Sequence, residues 1–156
     1  MKIIKASNSF CDEERPFVFL AGSIEMGVAE NWQDIISDKL KLYRGTILNP
    51  RRDDWNSSWI QSIENEQFRQ QVEWELNGLE AADFIVMYFD ITTKSPITLL
   101  ELGLFCRRLN LIVCCPSGFW RHGNVEIVCK KYGAIFCENK ENLMEILVDS
   151  IINFAK

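Results

Sequence analysis

Phe84-Ile-Val-Met-Tyr-Phe-Asp90, followed a few residues later by Ser95-Pro-Ile-Thr-Leu-Leu-Glu-Leu-Gly103, decides the fold. The first stretch is an unbroken apolar run without alternation, as a strand covered on both faces requires. Ser95-Pro96 marks a helix start, with Ser as N-cap and Pro at the first helical position. The helix that follows is apolar on nearly every side, through Ile97, Leu99, Leu100, Leu102, Leu104 and Phe105. Glu101 is the only acid between Asp90 and Glu126. A carboxylate on a mostly buried helix is costly unless it is paired or used, so Glu101 is the leading functional candidate.

The same strand-then-helix unit recurs outward from this stretch. Phe17-Val-Phe-Leu-Ala21 is a strand ended by Gly22-Ser23, and Gly45-Thr-Ile-Leu-Asn49 is one stopped by Pro50. Leu111-Ile-Val-Cys-Cys115 and Ala134-Ile-Phe-Cys137 complete a set of five. Apolar spacing predicts helices over roughly 28–43 (Trp32, Ile35, Ile36, Leu40) and 60–81 (Phe68, Val72, Leu76, Leu79). Further helices are expected from Ser95 to about Leu109, near 122–132 and from Glu141. Residues 1–15 are polar and read as a loose lead-in to a single domain spanning 1–156. Short apolar strands alternating with helices predict an α/β, three-layer, doubly wound sandwich of flavodoxin or Rossmann type. Its five-stranded parallel sheet is expected in the order 2-1-3-4-5. In such sheets ligands bind at the carboxyl ends of the strands. Those ends carry Gly22-Ser23, Asn49-Pro50-Arg51, Asp90 and Ser117-Gly118.

A chain of 156 residues, 47% hydrophobic and 25% charged, has enough apolar surface for one full core. Its net charge of −5 argues against a nucleic-acid polymer or an anionic membrane as partner. The six cysteines form no C-x-x-C pair and read as buried free thiols. No apolar run is long enough to span a membrane and no signal-peptide core opens the chain, so a cytoplasmic location is expected. One histidine, His122, among scattered cysteines does not make a metal site, and neither metal nor cofactor is expected.

Four constellations carry chemistry. Ala21-Gly-Ser-Ile-Glu-Met-Gly27 follows the first strand. Its glycines allow backbone N–H groups close to a ligand, although it is neither G-x-G-x-x-G nor a P-loop. Glu25 would repel a phosphate there, which leaves a hydroxylated neutral ligand and a plain tight turn as readings. Asn49-Pro-Arg-Arg-Asp-Asp-Trp55 offers Arg51, Arg52 and Trp55 to hydroxyls, phosphate or a base ring, or is a loop pinned by tryptophan packing. Glu73-Trp-Glu-Leu-Asn77 places Glu73 and Glu75 beside the core face set by Leu76 and Leu79, where a solvated face is the ordinary reading. Asp90 and Glu101 could divide the roles of nucleophile and acid around one sugar, or Asp90 could simply cap a loop.

These pieces together resemble the nucleoside 2-deoxyribosyltransferase superfamily, in its nucleoside 2-deoxyribosyltransferase-like branch, over roughly residues 17–137. The carriers are Phe19-Leu-Ala-Gly-Ser-Ile-Glu-Met-Gly27, Asn49-Pro-Arg-Arg52 with Trp55, Glu75-Leu-Asn-Gly-Leu79, Ala82-Asp83, and Ser95-Pro96 through Glu101-Leu-Gly103. The resemblance implies that Glu101 attacks the anomeric carbon and displaces the base. A glycosyl-enzyme then forms, and a second base or water resolves it with retention. It implies that Glu75 meets the base, that Gly22 and Ser23 lie against the sugar, and that Asp90 is near the sugar hydroxyls. Asn124 resembles an asparagine donated by a neighbouring subunit, which implies a homodimer or higher homo-oligomer. The implied partners are a nucleoside or nucleotide and a free base.

The chain also departs from the family pattern. Transferases often carry an acid a few residues before the nucleophile, where this chain has Thr93-Lys-Ser-Pro96. Nucleotide N-glycosidases of the superfamily place basic or hydroxyl groups after the Gly-Ser turn, where this chain has Ile24-Glu-Met-Gly27. Transfer and hydrolysis are both open on this reading. So is a non-catalytic nucleotide-binding or signalling module on the same fold, because fold alone licenses no function.

Overall fold

The computed structural model describes residues 1–24, 29–52 and 58–154. Its elements, in chain order, are β1 (Lys2–Lys5), β2 (Phe17–Gly22), α1 (Trp32–Leu40), β3 (Thr46–Asn49), α2 (Glu66–Ala81), β4 (Phe84–Tyr88), α3 (Pro96–Phe105), β5 (Leu111–Cys114), α4 (His122–Tyr132), β6 (Ile135–Cys137) and α5 (Lys140–Phe154). All strands pair in parallel, in the order β1-β3-β2-β4-β5-β6. The α/β sandwich and the expected order of the five strands β3-β2-β4-β5-β6 therefore hold. The sheet has six strands rather than five, because Lys2–Lys5 is not a loose lead-in. It pairs with Thr46–Asn49 as an edge strand, its outer side left open. Ile4, at 8% exposure, packs into the core while Ile3 faces out at 45%, so a single inward-facing residue suffices.

Side chains alternate between two cores. Phe19, Ala21, Ile85, Met87, Leu111 and Val113 face α2, α3 and α4 through Trp74, Leu79, Leu102, Phe105, Val125 and Cys129. Val18, Leu20, Val86, Tyr88 and Ile112 face α1 and α5 through Trp32, Ile36, Leu40, Leu143 and Leu147. Chain direction reverses between β2 and β4: β2 leads outward to β3, and β4 leads the other way to β5. The crevice that opens at the carboxyl ends of such a pair is where doubly wound sheets place ligands.

Two helices differ from the spacing-based expectation. Helix α2 starts at Glu66, because Asn65 caps it by accepting from the Phe68 N–H at 3.0 Å. The buried stripe of α2 is Gln71, Trp74, Gly78 and Leu79, while Leu76 is 38% exposed. Ser95 occupies the N-cap position of α3 but makes no side-chain cap. Its backbone is left-handed (φ 48°), and its hydroxyl is drawn to Ser23 and Thr93 instead. No described helix is long and apolar enough to cross a membrane.

Two glycines set the geometry of the crevice. Gly22 has φ +137°, and a Cβ there would lie 2.7 Å from the Tyr88 backbone nitrogen. A Cβ on Gly78 would lie 2.6 and 2.8 Å from ring carbons of Phe19, which is fully buried. Gly78 thus allows α2 to approach β2, and that approach carries Glu75, one turn earlier, toward the sheet. Gly78→Ala is expected to cost about 1–3 kcal/mol through overpacking. The thermal midpoint should fall by roughly 2–4 °C for each kcal/mol lost; an unchanged melt would show that the helix is not held at this distance.

Candidate active site at the crossover crevice

The crevice floor is a knot of hydroxyls joining β2, β4 and the start of α3. The Asp90 N–H donates to Ser23 Oγ at 2.8 Å. Thr93 Oγ1 lies 3.1 Å from Ser23 Oγ, 2.7 Å from Ser95 Oγ and 3.0 Å from the Asp90 carbonyl oxygen. Ser23, Thr93 and Ser95 are all buried. Trp32 Nε1 donates to the Ser23 carbonyl at 3.0 Å, which fixes the turn after Gly22 from the opposite side. Each buried hydroxyl has a partner, so the knot avoids the penalty for an unpaired polar group and ties α3 to the sheet.

Asp90 is heavily engaged. Its Oδ1 accepts from the Thr92 N–H at 2.8 Å and the Thr92 hydroxyl at 2.7 Å, and its Oδ2 accepts from the Glu30 N–H at 3.1 Å. Burial works to raise its pKa. The Thr92 and Glu30 hydrogen bonds and the charge of Lys140 outweigh that and hold the carboxyl below its ordinary value. Asp90 is therefore ionised at neutral pH and closes its own turn, with Lys140 nearby from the start of α5.

Glu101 sits differently. It is 8% exposed, on the second turn of α3, and burial pushes its pKa up to about 8, with the charge of Glu75 adding to the rise. Glu75 is pushed up to about 7 by burial, partly offset by its hydrogen bond with Gln71. Glu75 lies on the inward side of α2, not on the solvated side that its neighbours suggest. The charge that Glu101 feels is thus that of Glu75, from the same side of the sheet. Asp90 turns instead toward Glu30 and Lys140 on the α1 and α5 side. Two desolvated carboxyls close enough to interact titrate as a pair, and their near-neutral values leave one proton between them over a window around pH 7–8.

The remaining predicted residues fall around this centre. Asn49 is buried, and its Oδ1 accepts from the Arg51 N–H at 3.0 Å. Arg51 Nη1 reaches the Glu30 carbonyl and Gln33 Oε1, both at 3.4 Å. Arg52 stacks on Trp59 with its guanidinium carbon 5.1 Å from the ring centroid. Asn124 is exposed on α4. Glu25 and Trp55 lie outside the described residues. Three participants escaped the sequence reading: Thr93, Lys140 and Gln71. Gln71 Nε2 donates to Glu75 Oε1 at 2.6 Å and to the Pro50 carbonyl at 3.0 Å. The signal for Gln71 was its spacing of one turn from Glu75, which puts both on one helix face.

The carboxyl pair has a consequence for stability. A carboxyl whose pKa is raised by folding binds its proton more tightly in the native state. The stabilisation is complete below the unfolded value, near 4.5, and is lost as pH rises through about 7 and 8. The wild-type melting temperature is therefore expected to decline between pH 5 and 9. Glu101→Gln should flatten that decline and melt higher than wild type at pH 9. A variant that tracks the wild type at every pH would show that Glu101 titrates normally.

The sequence model of the family described as nucleoside 2-deoxyribosyltransferase like matches residues 15–119. No curated protein matches the chain. The matched span runs from just before β2 through α3 and β5 to Phe119, and so includes the hydroxyl knot, Glu75, Asp90 and Glu101. The chain belongs to the nucleoside 2-deoxyribosyltransferase-like family.

Proposed function

We propose that the protein cleaves the N-glycosidic bond of a nucleoside or nucleoside monophosphate through Glu101, passing the (deoxy)ribosyl group to a second base or to water. The observation that carries this reading is the Glu101–Glu75 pair, desolvated beside the crossover crevice of a chain in this family. In the singly protonated pair the proton passes from Glu101 to Glu75 once substrate is bound, and the ionised Glu101 attacks the anomeric carbon and forms an ester bond. The C–N bond breaks, and its electron pair leaves with the base, which takes the proton held by Glu75. A second base or a water molecule then attacks the same carbon from the opposite side, giving its proton to Glu75 and releasing Glu101. Two inversions retain the configuration. Asp90, kept ionised, holds sugar hydroxyls together with the Gly22-Ser23 turn, and Asn49, Arg51, Arg52 and Ser95 border the pocket. Six free thiols suit a cytoplasmic setting.

One observation favours a second reading. Burial holds Glu101 protonated in the empty site at neutral pH, and a protonated carboxyl is a hydrogen-bond donor rather than a nucleophile. That would suit a non-catalytic nucleotide-binding module. Incubation with a panel of nucleosides and 5′-monophosphates, with and without a second base, separates the two. Wild type should release base or form a new nucleoside, with kcat/KM highest around pH 7–8. Glu101→Ala should lower turnover by at least about 1,000-fold without lowering the melting temperature. Ligand binding without turnover, unaffected by Glu101→Gln, would establish the binding module instead.

We further propose that the working unit is a homodimer or larger, formed over α3. Ile97, Leu100 and Leu104 are each about 60% exposed in one row of that helix, and Ile127 of α4 is 69% exposed. At about 100° per residue, Glu101 lies between this row and the buried stripe of Thr98, Leu102 and Phe105. A second copy seated on the row would reach the rim of the Glu101 pocket, where a partner could supply Asn124. Leu100→Asp should reduce the mass in solution from a multiple of 18.1 kDa to 18.1 kDa and abolish turnover. A wild type that is already monomeric by light scattering would end this proposal.

A further inference from the structure

Gln71 is 4% exposed and makes two hydrogen bonds with the same atom, Nε2, to the Pro50 carbonyl and to Glu75 Oε1. Both partners are oxygens, and one is a backbone carbonyl that can only accept. Turning the amide over would set oxygen against oxygen, so the network fixes which branch carries the nitrogen. The other branch, Oε1, is buried with no hydrogen-bond partner among the described residues. An unpaired buried acceptor is costly and is rare in folded proteins unless a ligand or ion completes it. This one lies one helical turn from Glu75, and the same amide grips that carboxyl.

We propose that Gln71 determines which base the site accepts: its Oε1 accepts a hydrogen bond from an exocyclic amino group on the nucleobase edge. The inference rests on the N-glycosidic reading above and deepens it. An amino group suits the surroundings because it brings two N–H donors to an acceptor-rich wall. One meets Gln71 Oε1, and the other is directed to the Glu75 oxygen that Gln71 does not occupy. An analogue with hydrogen in place of the amino group leaves Oε1 buried and unpaired, and a site built to satisfy such an acceptor rejects that analogue. Gln71 also positions Glu75 from Pro50, so the two carboxyl-side contacts to the base are set by one amide.

The test pairs free bases that differ only in the amino group, adenine against purine and cytosine against 2-pyrimidinone, and measures their Kd by calorimetry on the intact wild-type protein. The amino-bearing member of at least one pair is expected to bind about 10- to 100-fold more tightly. Gln71→Met keeps the side-chain length but removes the acceptor, and should bring that ratio to within about 3-fold. A merely structural glutamine would weaken both members equally and leave the ratio intact, which overturns the proposal. Gln71→Glu keeps an acceptor oxygen and serves as the second variant should Gln71→Met fail to fold; it should preserve a preference for the amino-bearing base. Failure of wild type to bind or to discriminate any of the four bases also overturns the inference. Turnover on nucleosides judges the N-glycosidic reading separately: discrimination without turnover would keep Gln71's role and reject the reaction.

Discussion

Two carboxyl groups, Glu75 and Glu101, are withdrawn from water against each other, and much of the site is arranged around that cost. Burial penalises the charge of both; the charge of Glu75 adds to the penalty at Glu101, while the Gln71 hydrogen bond offsets part of it at Glu75. The hydroxyl knot, the close approach of α2 at Gly78 and the bridging amide of Gln71 all hold the elements that carry the pair. An ordinary core would put leucine at both positions. A pair that shares a proton near neutrality is the arrangement an acid-assisted displacement uses, because one group can be a base or nucleophile while the other remains an acid.

The sheet topology supplies two different electrostatic environments at one edge. On the α2 and α3 side, carboxyls sit among apolar side chains and hold protons. On the α1 and α5 side, Asp90 gathers hydrogen bonds from Thr92 and Glu30 and feels Lys140, and it stays ionised. Both sides converge where β2 and β4 end and the chain reverses direction, so a ligand in the crevice meets a neutral acid on one flank and a fixed anion on the other. The division follows from which helix follows which strand. Helix α1 and the start of α5 bring donors and cations, whereas α2 and α3 bring carboxyls on inward faces.

Much of this was legible in the sequence, and the rest failed for identifiable reasons. The uninterrupted apolar runs at 17–21, 84–89 and 111–115 pointed to the parallel sheet and to the order of five of its six strands. The edge strand Lys2–Lys5 was missed because an edge needs little inward apolar surface, and only Ile4 supplies it. Glu101 stood out as a lone acid on an apolar helix. Glu75 did not, because Glu73, Glu75 and Asn77 look like a solvated face until the packing of Gly78 on Phe19 rotates Glu75 inward. Ser95 was read as a local cap, but a tertiary contact with Ser23 outcompeted the cap. Lys140 carries no local signal that sets it apart from an ordinary surface residue, and the one-turn spacing of Gln71 from Glu75 gains meaning only once Glu75 is known to face inward.

Helix α3 buries two polar residues beside Leu102 and Phe105 while it exposes three large apolar ones. Thr98 and Glu101 are buried, while Ile97, Leu100 and Leu104 face out. Water as the only solvent would select the opposite arrangement, with the leucines packed on the sheet and the polar groups outside. The inner polar residues are explained if chemistry claims that face, since Glu101 must meet a ligand and Thr98 lies one turn earlier on the same side. The outer apolar row then needs its own explanation, because contiguous exposed apolar surface on a helix marks an interaction site more often than chance. A second copy of the chain answers both demands at once. It removes the leucines from water and closes the rim beside Glu101, which deepens the desolvation that the carboxyl pair depends on. If the proposed assembly and reaction both hold, they are not separable properties of α3, because a surface joining two chains there would also shield the reacting carbon from bulk water.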